Sequence, residues 1–201
     1  MHRYDLLVPL VLIGSCSVGK TSFAQKISRG DFYEPYNATI GIEYASKTLH
    51  LDSDIVKCQI WDTAGQEKFT SLIRTYYKNV AGCILMYDVT NRRSFNKLYF
   101  WLNEIKQHGP EYPIEILLIG NKIDQENREV SEVEAELFAR QNNLLYKETS
   151  VKNSDNLQEI LHTLTNAILK NKKKNLGVKI GPPVREIIPK EEQTKDCCCI
   201  S

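Results

Sequence analysis

The stretch GSCSVGKT, at residues 14–21, has the spacing G-x-x-x-x-G-K-[ST]. This spacing is typical of a loop whose backbone N–H groups surround the phosphates of a nucleotide. Lys20 would neutralise the β- and γ-phosphates, and the Thr21 hydroxyl would bind Mg²⁺. An apolar run precedes the motif and the helix-like segment SFAQKIS follows it, which is the setting that a phosphate loop requires. The sequence therefore predicts a nucleotide-binding loop that comprises Gly14, Ser15, Cys16, Ser17, Val18, Gly19, Lys20, Thr21 and Ser22.

A second motif, NKID at residues 121–124, concerns the base of that nucleotide. Asn121, Lys122 and Asp124 follow the apolar run IEILLIG, so they lie at the carboxyl end of a predicted strand, where α/β sheets bind ligands. A carboxylate at Asp124 accepts hydrogen bonds from N1–H and the exocyclic amine of guanine. Adenine has an unprotonated ring nitrogen instead of the N1–H. Because an unpaired buried polar group is costly, the motif favours guanine over adenine.

The stretch WDTAGQE, at residues 61–67, contains groups that suit hydrolysis of a terminal phosphate. Asp62 ends a predicted strand and would hold Mg²⁺ through water, while the Gly65 N–H would meet the γ-phosphate. Gln66 would orient the attacking water, and Thr39 would close a loop onto the metal. The predicted catalytic residues are Lys20, Thr39, Gly65 and Gln66. The predicted metal ligands are Thr21, Thr39 and Asp62.

Periodicity along the chain predicts the elements that carry these motifs. Apolar runs predict six strands, near residues 10–13, 44–51, 56–61, 83–89, 114–120 and 144–149. Pro9 has no N–H to donate and is expected to mark the beginning of the first strand. Beyond the helix after the phosphate loop, amphipathic patterns predict helices over 94–109, 131–142 and 154–170, the second with a capping box of Ser131 and Glu134. Strands that alternate with helices indicate an α/β fold, with a mostly parallel sheet covered on both faces and one antiparallel edge strand.

Length and composition limit the class of protein. The 201 residues suit one domain with a tail, and a net charge of +1 gives no global field toward nucleic acid, so no nucleic-acid partner is expected. We expect no secretory signal peptide, because no convincing small-residue cleavage site follows the short N-terminal apolar run. We expect no membrane-spanning segment, because no apolar run approaches ~20 residues. The folded domain is predicted at residues 6–170. Residues 171–201 contain clustered lysines, prolines and scattered charges without a period, which predicts a flexible, disordered tail.

Three of the six cysteines, Cys197, Cys198 and Cys199, lie in the last five residues. Zinc sites normally use paired ligands at spacings such as C-x-x-C, and the scatter of the other cysteines is usual for a reduced protein, so metal and disulfide explanations are weak. CCIS also reads as C-a-a-X, which would carry one farnesyl group on Cys198. Two lipid chains anchor a protein stably, whereas one holds it only marginally. Lipid attachment is therefore the preferred hypothesis, with Cys198 and Cys199 as the pair and Cys197 close behind.

In this order and spacing, the three motifs resemble those of the Ras superfamily of small GTPases. TIGIEY, KCQIWDTAGQEKF and TYYKNVAGCILMYDVTNRRSF resemble the Rab branch, and the likeness covers roughly residues 6–170. It implies a P-loop small G domain with a six-stranded sheet, about five helices and two nucleotide-sensitive switch loops. It also implies a switch in vesicle and membrane trafficking that binds GTP or GDP with Mg²⁺ and hydrolyses GTP.

The resemblance implies further residues beside the base. Phe32 would pack against guanine, and TSVK would place Ser150, Val151 and Lys152 next to it. Val151 stands where the family has alanine. Its side chain would add bulk beside the base, while its backbone N–H would meet the guanine oxygen.

The partners of a Rab switch are implied in the same way. Tyr44, Trp61 and Tyr76 would form an aromatic triad that effectors contact. The other expected partners are an exchange factor, a GTPase-activating protein and a prenyl-binding chaperone. The terminal cysteines resemble acceptors of two geranylgeranyl groups. The expected location is therefore the cytoplasmic face of an intracellular membrane, with cycling through the cytosol.

Two other functions stay open at this stage. Cys16 and Ser17 replace glycines of Ras-like loops, and a side chain at Cys16 would crowd the γ-phosphate and Gln66, so hydrolysis is expected to be slow without an activating protein. A GTP-binding scaffold that scarcely hydrolyses GTP is therefore one alternative, although Gln66 argues against it. A P-loop nucleotide kinase is the other. It would need an acceptor site or lid and would leave NKID and DTAGQE unexplained.

Overall fold

Strands and helices alternate along the chain in the computed structural model, which describes residues 4–29, 42–51, 54–63 and 70–173. The strands are β1 (Leu6–Gly14), β2 (Ile42–Leu51), β3 (Asp54–Thr63), β4 (Gly82–Asp88), β5 (Glu115–Asn121) and β6 (Leu145–Thr149). The helices are α1 (Lys20–Arg29), α2 (Thr70–Tyr77), α3 (Arg92–Asn96), α4 (Leu98–His108), α5 (Glu132–Gln141) and α6 (Leu157–Lys173).

All six strands form one sheet, in the order β2-β3-β1-β4-β5-β6. Only β2 is antiparallel to its neighbour, and it lies at an edge beside β3. This confirms the predicted α/β fold with a mostly parallel six-stranded sheet. Because the five parallel strands end at the same edge, the segments after β1, β3, β5 and β6 meet there and can form one ligand site.

Helices cover both faces of the sheet. One core packs α1 and α6 against the sheet, and the other packs α3, α4 and α5 against the opposite face. The predicted apolar stripe of α6 is confirmed, because all of its members are buried: Leu157, Ile160, Leu161, Leu164 and Ile168. Burial of each such side chain contributes about 1.5–3 kcal/mol, so this stripe fixes α6 against the sheet.

Pro9 lies inside β1 rather than at its beginning, so this prediction was wrong. On one side β1 pairs with β3 from Leu6 onward, but on the other side it pairs with β4 only from Leu10. The Pro9 carbonyl accepts from the Ala81 N–H (2.7 Å), just before β4 begins. The missing N–H of Pro9 points to the same side and therefore removes no bond of the β1–β4 ladder.

The helix predicted over 94–109 is interrupted. Lys97 ends α3 and begins α4, and its backbone N–H reaches the carbonyls of Arg93 and Phe95. If α3 and α4 are counted as one interrupted helix, the described residues contain the expected five. Helix α2 (Thr70–Tyr77) was not identified by periodicity, and α6 continues to Lys173, three residues beyond the predicted end.

Half of the predicted capping box is present at α5. The Ser131 hydroxyl accepts from the Glu134 N–H (3.2 Å), as predicted. The Glu134 carboxylate pairs with Arg92. Among the described residues, no helix has both the length and the apolar character that crossing a membrane requires.

Candidate nucleotide-binding site

The predicted phosphate loop joins β1 to α1 and is tightly closed. Lys20 is buried, and its Nζ donates to the carbonyls of Gly14 (2.9 Å) and Ser15 (2.8 Å). Gly14 has φ +141°, and a Cβ there would lie 2.2 Å from the Met86 carbonyl oxygen, so only glycine allows this approach of the loop to β4. The arrangement places an ammonium group at the beginning of α1, where anions bind.

The end of β3 brings a carboxylate to the same place. Thr21 Oγ1 donates to Asp62 Oδ2 at 2.6 Å. Burial, the largest effect, raises the pKa of Asp62 to about 6, although the Thr21 hydrogen bond and the Lys20 charge oppose the rise. Burial also lowers the pKa of Lys20 to about 8, against the charge of Asp62. Burial thus disfavours the charged form of both groups, and such perturbed pairs are typical of functional sites.

Thr21 and Asp62 fit a magnesium ion chemically. Mg²⁺ prefers oxygen ligands and keeps several waters, so one hydroxyl and one carboxylate are a suitable protein contribution. Asp62 Oδ1 and Ser15 Oγ are buried and have no hydrogen-bond partner within the described ranges. An unpartnered carboxylate oxygen beside Thr21 can accept a cation-bound water. The third predicted ligand, Thr39, lies outside the described residues.

Asn121 connects the phosphate loop to the loop after β6. Its Nδ2 donates to the Val18 carbonyl (2.8 Å), and its Oδ1 accepts from the Val151 N–H (3.1 Å). A Cβ at Gly19, where φ is +102°, would lie 2.2 Å from Asn121 Nδ2, so glycine is required there as well. The Val151 N–H, which we expected to meet a guanine oxygen, therefore has an acceptor within the protein.

Asp124 is held as an ionised acceptor. Ser150 Oγ donates to Asp124 Oδ1 (2.6 Å) and itself accepts from the Asn153 N–H (3.1 Å). Burial is the largest single influence and acts to raise the pKa of Asp124. The hydrogen bonds from Ser150, the backbone and Gln125, with the charge of Lys152, outweigh it and hold the pKa below its usual value. Ser150 thus orients a carboxylate that can accept from guanine N1–H and the amine.

Two ion pairs beside this loop were not predicted. Lys122, with φ +71°, pairs with Asp88 at the end of β4 (2.5 Å), and Asp88 is the register partner of Asn121. Arg128 binds Glu148 through two hydrogen bonds of 2.8 Å, next to the end of β6. The sequence signal for Asp88 was an acidic residue at the carboxyl end of a buried strand, in YDVT.

The other predicted residues of the site differ in their burial. The Val151 side chain is buried in the core with α1 and α6. Cys16 is exposed, its Sγ is 3.5 Å from the Ser17 hydroxyl, and Ser17 has φ +61°, a region that glycine enters more easily. Ser22 is half-buried in the first turn of α1, and Lys152 is exposed in the turn after β6.

The three aromatic residues predicted to meet effectors form one continuous stack. The ring centroids of Tyr44 and Trp61 are 5.3 Å apart, and those of Trp61 and Tyr76 are 5.1 Å apart. Tyr44 and Trp61 are opposite each other in β2 and β3, while Tyr76 comes from α2. Tyr44 is 49% exposed, so the stack is accessible to a partner.

The remaining predicted residues lie outside the described part of the chain: Phe32, Thr39, Gly65, Gln66, Cys197, Cys198 and Cys199.

We expect nucleotide affinity to fall as the pH rises through 8. The pKa of Lys20 in the free protein is about 8, and phosphate oxygens would raise it, so binding above pH 8 takes up a proton. Affinity should then decrease by about tenfold per pH unit. Isothermal titration with GDP, in two buffers of different ionisation enthalpy, measures both the affinity and the number of protons taken up on binding. The exposed-lysine variant Lys106→Gln is the control, and a flat affinity without proton uptake would contradict the role of Lys20.

The chain is similar to known proteins over most of its length. A family model described as the Ras family matches residues 9–170. Ras-related protein Rab-30 of Homo sapiens, Bos taurus and Mus musculus is 42% identical to the chain over 176 residues, which cover 87% of this chain and 86% of the relative. The matched region includes the phosphate loop, Asp62, NKID and the loop after β6. The chain therefore belongs to the Rab family of the Ras superfamily and is a Rab-like small GTPase of membrane trafficking.

Proposed function

We propose that this chain binds GTP and GDP with Mg²⁺ and hydrolyses GTP slowly, as a switch that recruits effectors to an intracellular membrane. The observation that carries the proposal is the meeting of three groups at one edge of the sheet: Lys20, the Thr21–Asp62 pair and the Asp124–Ser150 pair. Membership of the Rab family supports GTP binding and GTPase activity in general.

Each described residue of the site has one role. Lys20 neutralises the phosphates, while the backbone of residues 14–19 surrounds them. Thr21 and Asp62 would hold Mg²⁺, which would supply stabilisation of negative charge on the phosphate oxygens. Asp124 accepts from guanine, and Ser150 keeps that carboxylate oriented and charged.

Asn121 fixes the distance between the phosphate loop and the loop after β6, because it bonds to both.

Hydrolysis requires residues outside the described part of the chain. Thr39 would complete the metal site, the Gly65 N–H would meet the γ-phosphate, and Gln66 would orient the attacking water. An activating protein that supplies an arginine would accelerate the reaction, since such an arginine contributes about 10³–10⁵ in rate. The exposed side chain of Cys16 at the phosphate loop supports slow hydrolysis without that partner.

The proposed hydrolysis is tested with Gln66→Leu. Loss of the water-orienting amide should slow stimulated GTP hydrolysis by at least about a hundredfold, while GTP affinity stays nearly unchanged. Single-turnover assays with and without cytosolic extract measure the two rates, and Gln59→Leu, on β3, is a matched control. Equal stimulated rates in the Gln66→Leu variant and the wild type would remove Gln66 from the mechanism. If the wild type showed no turnover even with extract, the GTP-binding scaffold would replace the switch.

The aromatic stack of Tyr44, Trp61 and Tyr76 is the proposed effector surface. It joins β2, β3 and α2, and α2 begins shortly after Gln66 in sequence. The proposed effector surface is therefore linked along the chain to the proposed catalytic segment, through which it would respond to a change of nucleotide. An exchange factor, an activating protein, effectors and a prenyl-binding chaperone are the proposed partners.

Lipid attachment at the tail is the proposed membrane anchor. The intact mass of protein from eukaryotic cells should show two C20 prenyl groups, and Cys198→Ser with Cys199→Ser should move the protein from the membrane to the soluble fraction. Two chains are required because one alone binds only marginally. The single variant Cys197→Ser serves as the comparison. An unmodified tail in protein that still pellets with membranes would refute the anchor.

A further inference from the structure

A pocket of about 390 Å³ lies between α1, β2 and the first turns of α6. Its floor is apolar and consists of Ile27, Leu49, Leu157 and Leu161. Side chains alternate along β2. Lys47 and Leu49 therefore face this pocket, while Tyr44, a member of the aromatic stack, lies on the other side of the sheet. The pocket is therefore separate from the proposed effector surface.

Two lysines at the pocket have no ion-pair partner among the described residues. Lys26 on α1 and Lys47 on β2 are both half-buried, and within the described residues neither forms an ion pair. The single carboxylate among the described lining residues, Glu159, is already paired with Lys147 (2.5 Å). The lining thus carries positive charge above an apolar floor.

We propose that this pocket binds a small amphiphilic anion, with an apolar body and one carboxylate head. The volume is within the range of small-molecule sites, which are mostly apolar with a few polar groups that orient the ligand. The apolar body would lie on Leu49, Leu157 and Leu161, and the head would lie between Lys26 and Lys47. A half-buried ammonium group attracts an anion more strongly than one in bulk water, because the effective dielectric constant is lower.

This pocket is distinct in place from the nucleotide site. None of its described lining residues belongs to the phosphate loop, to NKID or to residues 150–152. Protein loaded with GDP should therefore bind the anion, and failure of the anion site would leave the nucleotide site as proposed.

Three probes with one apolar body test the charge requirement: naphthalene-2-carboxylate, 2-naphthalenemethanol and 2-naphthylmethylammonium. Each is titrated into the full GDP-loaded chain with methyl-labelled isoleucine and leucine, and followed by NMR. The carboxylate should give saturable shifts at the methyl groups of Ile27, Leu49, Leu157 and Leu161. The alcohol should bind about tenfold more weakly, because it loses two ion pairs, and the ammonium probe should not bind.

Charge-removing variants at the rim locate the head of the ligand. Lys26→Gln and Lys47→Gln should each weaken carboxylate binding by about threefold and leave the alcohol unaffected, while Lys106→Gln on α4 should change neither. The proposal is overturned if the alcohol binds as tightly as the carboxylate, if the shifts lie elsewhere, or if the double lysine variant binds like the wild type. Saturation of these methyl groups by an acidic peptide but by none of the probes would also overturn it, in favour of a protein partner.

Discussion

Lys20→Met is expected to reduce the affinity for GDP and GTP by more than about a hundredfold. Lys20 is 5% exposed, so its ammonium group would meet the phosphates in surroundings where water screens charge poorly. Methionine is of similar length and apolar, so it occupies the space without neutralising the phosphates. Titration with a fluorescent GDP analogue, followed by competition with unlabelled GTP, measures the change.

The fold of the Lys20→Met variant provides the necessary control. The variant loses two hydrogen bonds to the carbonyls of Gly14 and Ser15, but it also removes a buried charge whose pKa burial lowers to about 8. These effects oppose each other, and we expect the nucleotide-free variant to unfold at a temperature close to that of the wild type. Lys106→Met, at an exposed position of α4, should bind nucleotide normally. Normal affinity in Lys20→Met would exclude Lys20 from phosphate binding.

Asp124→Asn is expected to lower the affinity for GDP by about a thousandfold, or roughly 4 kcal/mol, and to increase the affinity for XDP. The carboxylate accepts two hydrogen bonds from guanine, whereas the asparagine amide places a donor against a donor. Xanthine has an oxygen at C2, to which that amide can donate. Ser150 Oγ still has the side-chain oxygen of Asn as its acceptor, so the loop should keep its shape.

Competition between GDP, XDP and ADP for the wild type and the variant decides this prediction. Asp155→Asn is a matched control, because Asp155 lies in the loop after β6 that also contains Ser150, and it is exposed. Its backbone, rather than its carboxylate, bonds to Thr149 and Ser150. If ADP displaced the fluorescent nucleotide as well as GDP did, or if Asp124→Asn kept its preference for GDP, the base assignment would be incorrect.

Features that depend on neighbouring residues were predicted correctly from sequence. The hydroxyl of Ser131 caps α5 because an N-cap needs only the N–H three residues further on. The α6 stripe is buried because a period of 3.6 places its members on one side. The order of strands and helices implied the α/β fold, and the carboxyl ends of the strands implied the edge of the sheet where the motifs would meet.

Predictions failed where a residue's environment came from a distant part of the chain. Pro9 is accommodated inside β1 because the pairing of β1 with β4 begins only at Leu10, one residue after Pro9. The Val151 side chain belongs to the core beneath α6, which its place in TSVK did not indicate. The interruption at Lys97 falls within an apolar period that continues on both sides of it, so periodicity could not show it.

By itself, the sequence determined the α/β class and the chemistry proposed for this protein: a phosphate loop with Lys20 and Thr21, and a carboxylate for guanine at Asp124. Those groups act through their own functional atoms, and their motifs are contiguous, so local spacing was sufficient. Only the tertiary structure decided that Asn121 joins Val18 to Val151, and that Asp62 and Lys20 share a buried site that changes the pKa of both. Hydrogen-bond partners and burial depend on which segments meet across the sheet, and residues 103 positions apart in the chain are brought together only by the fold.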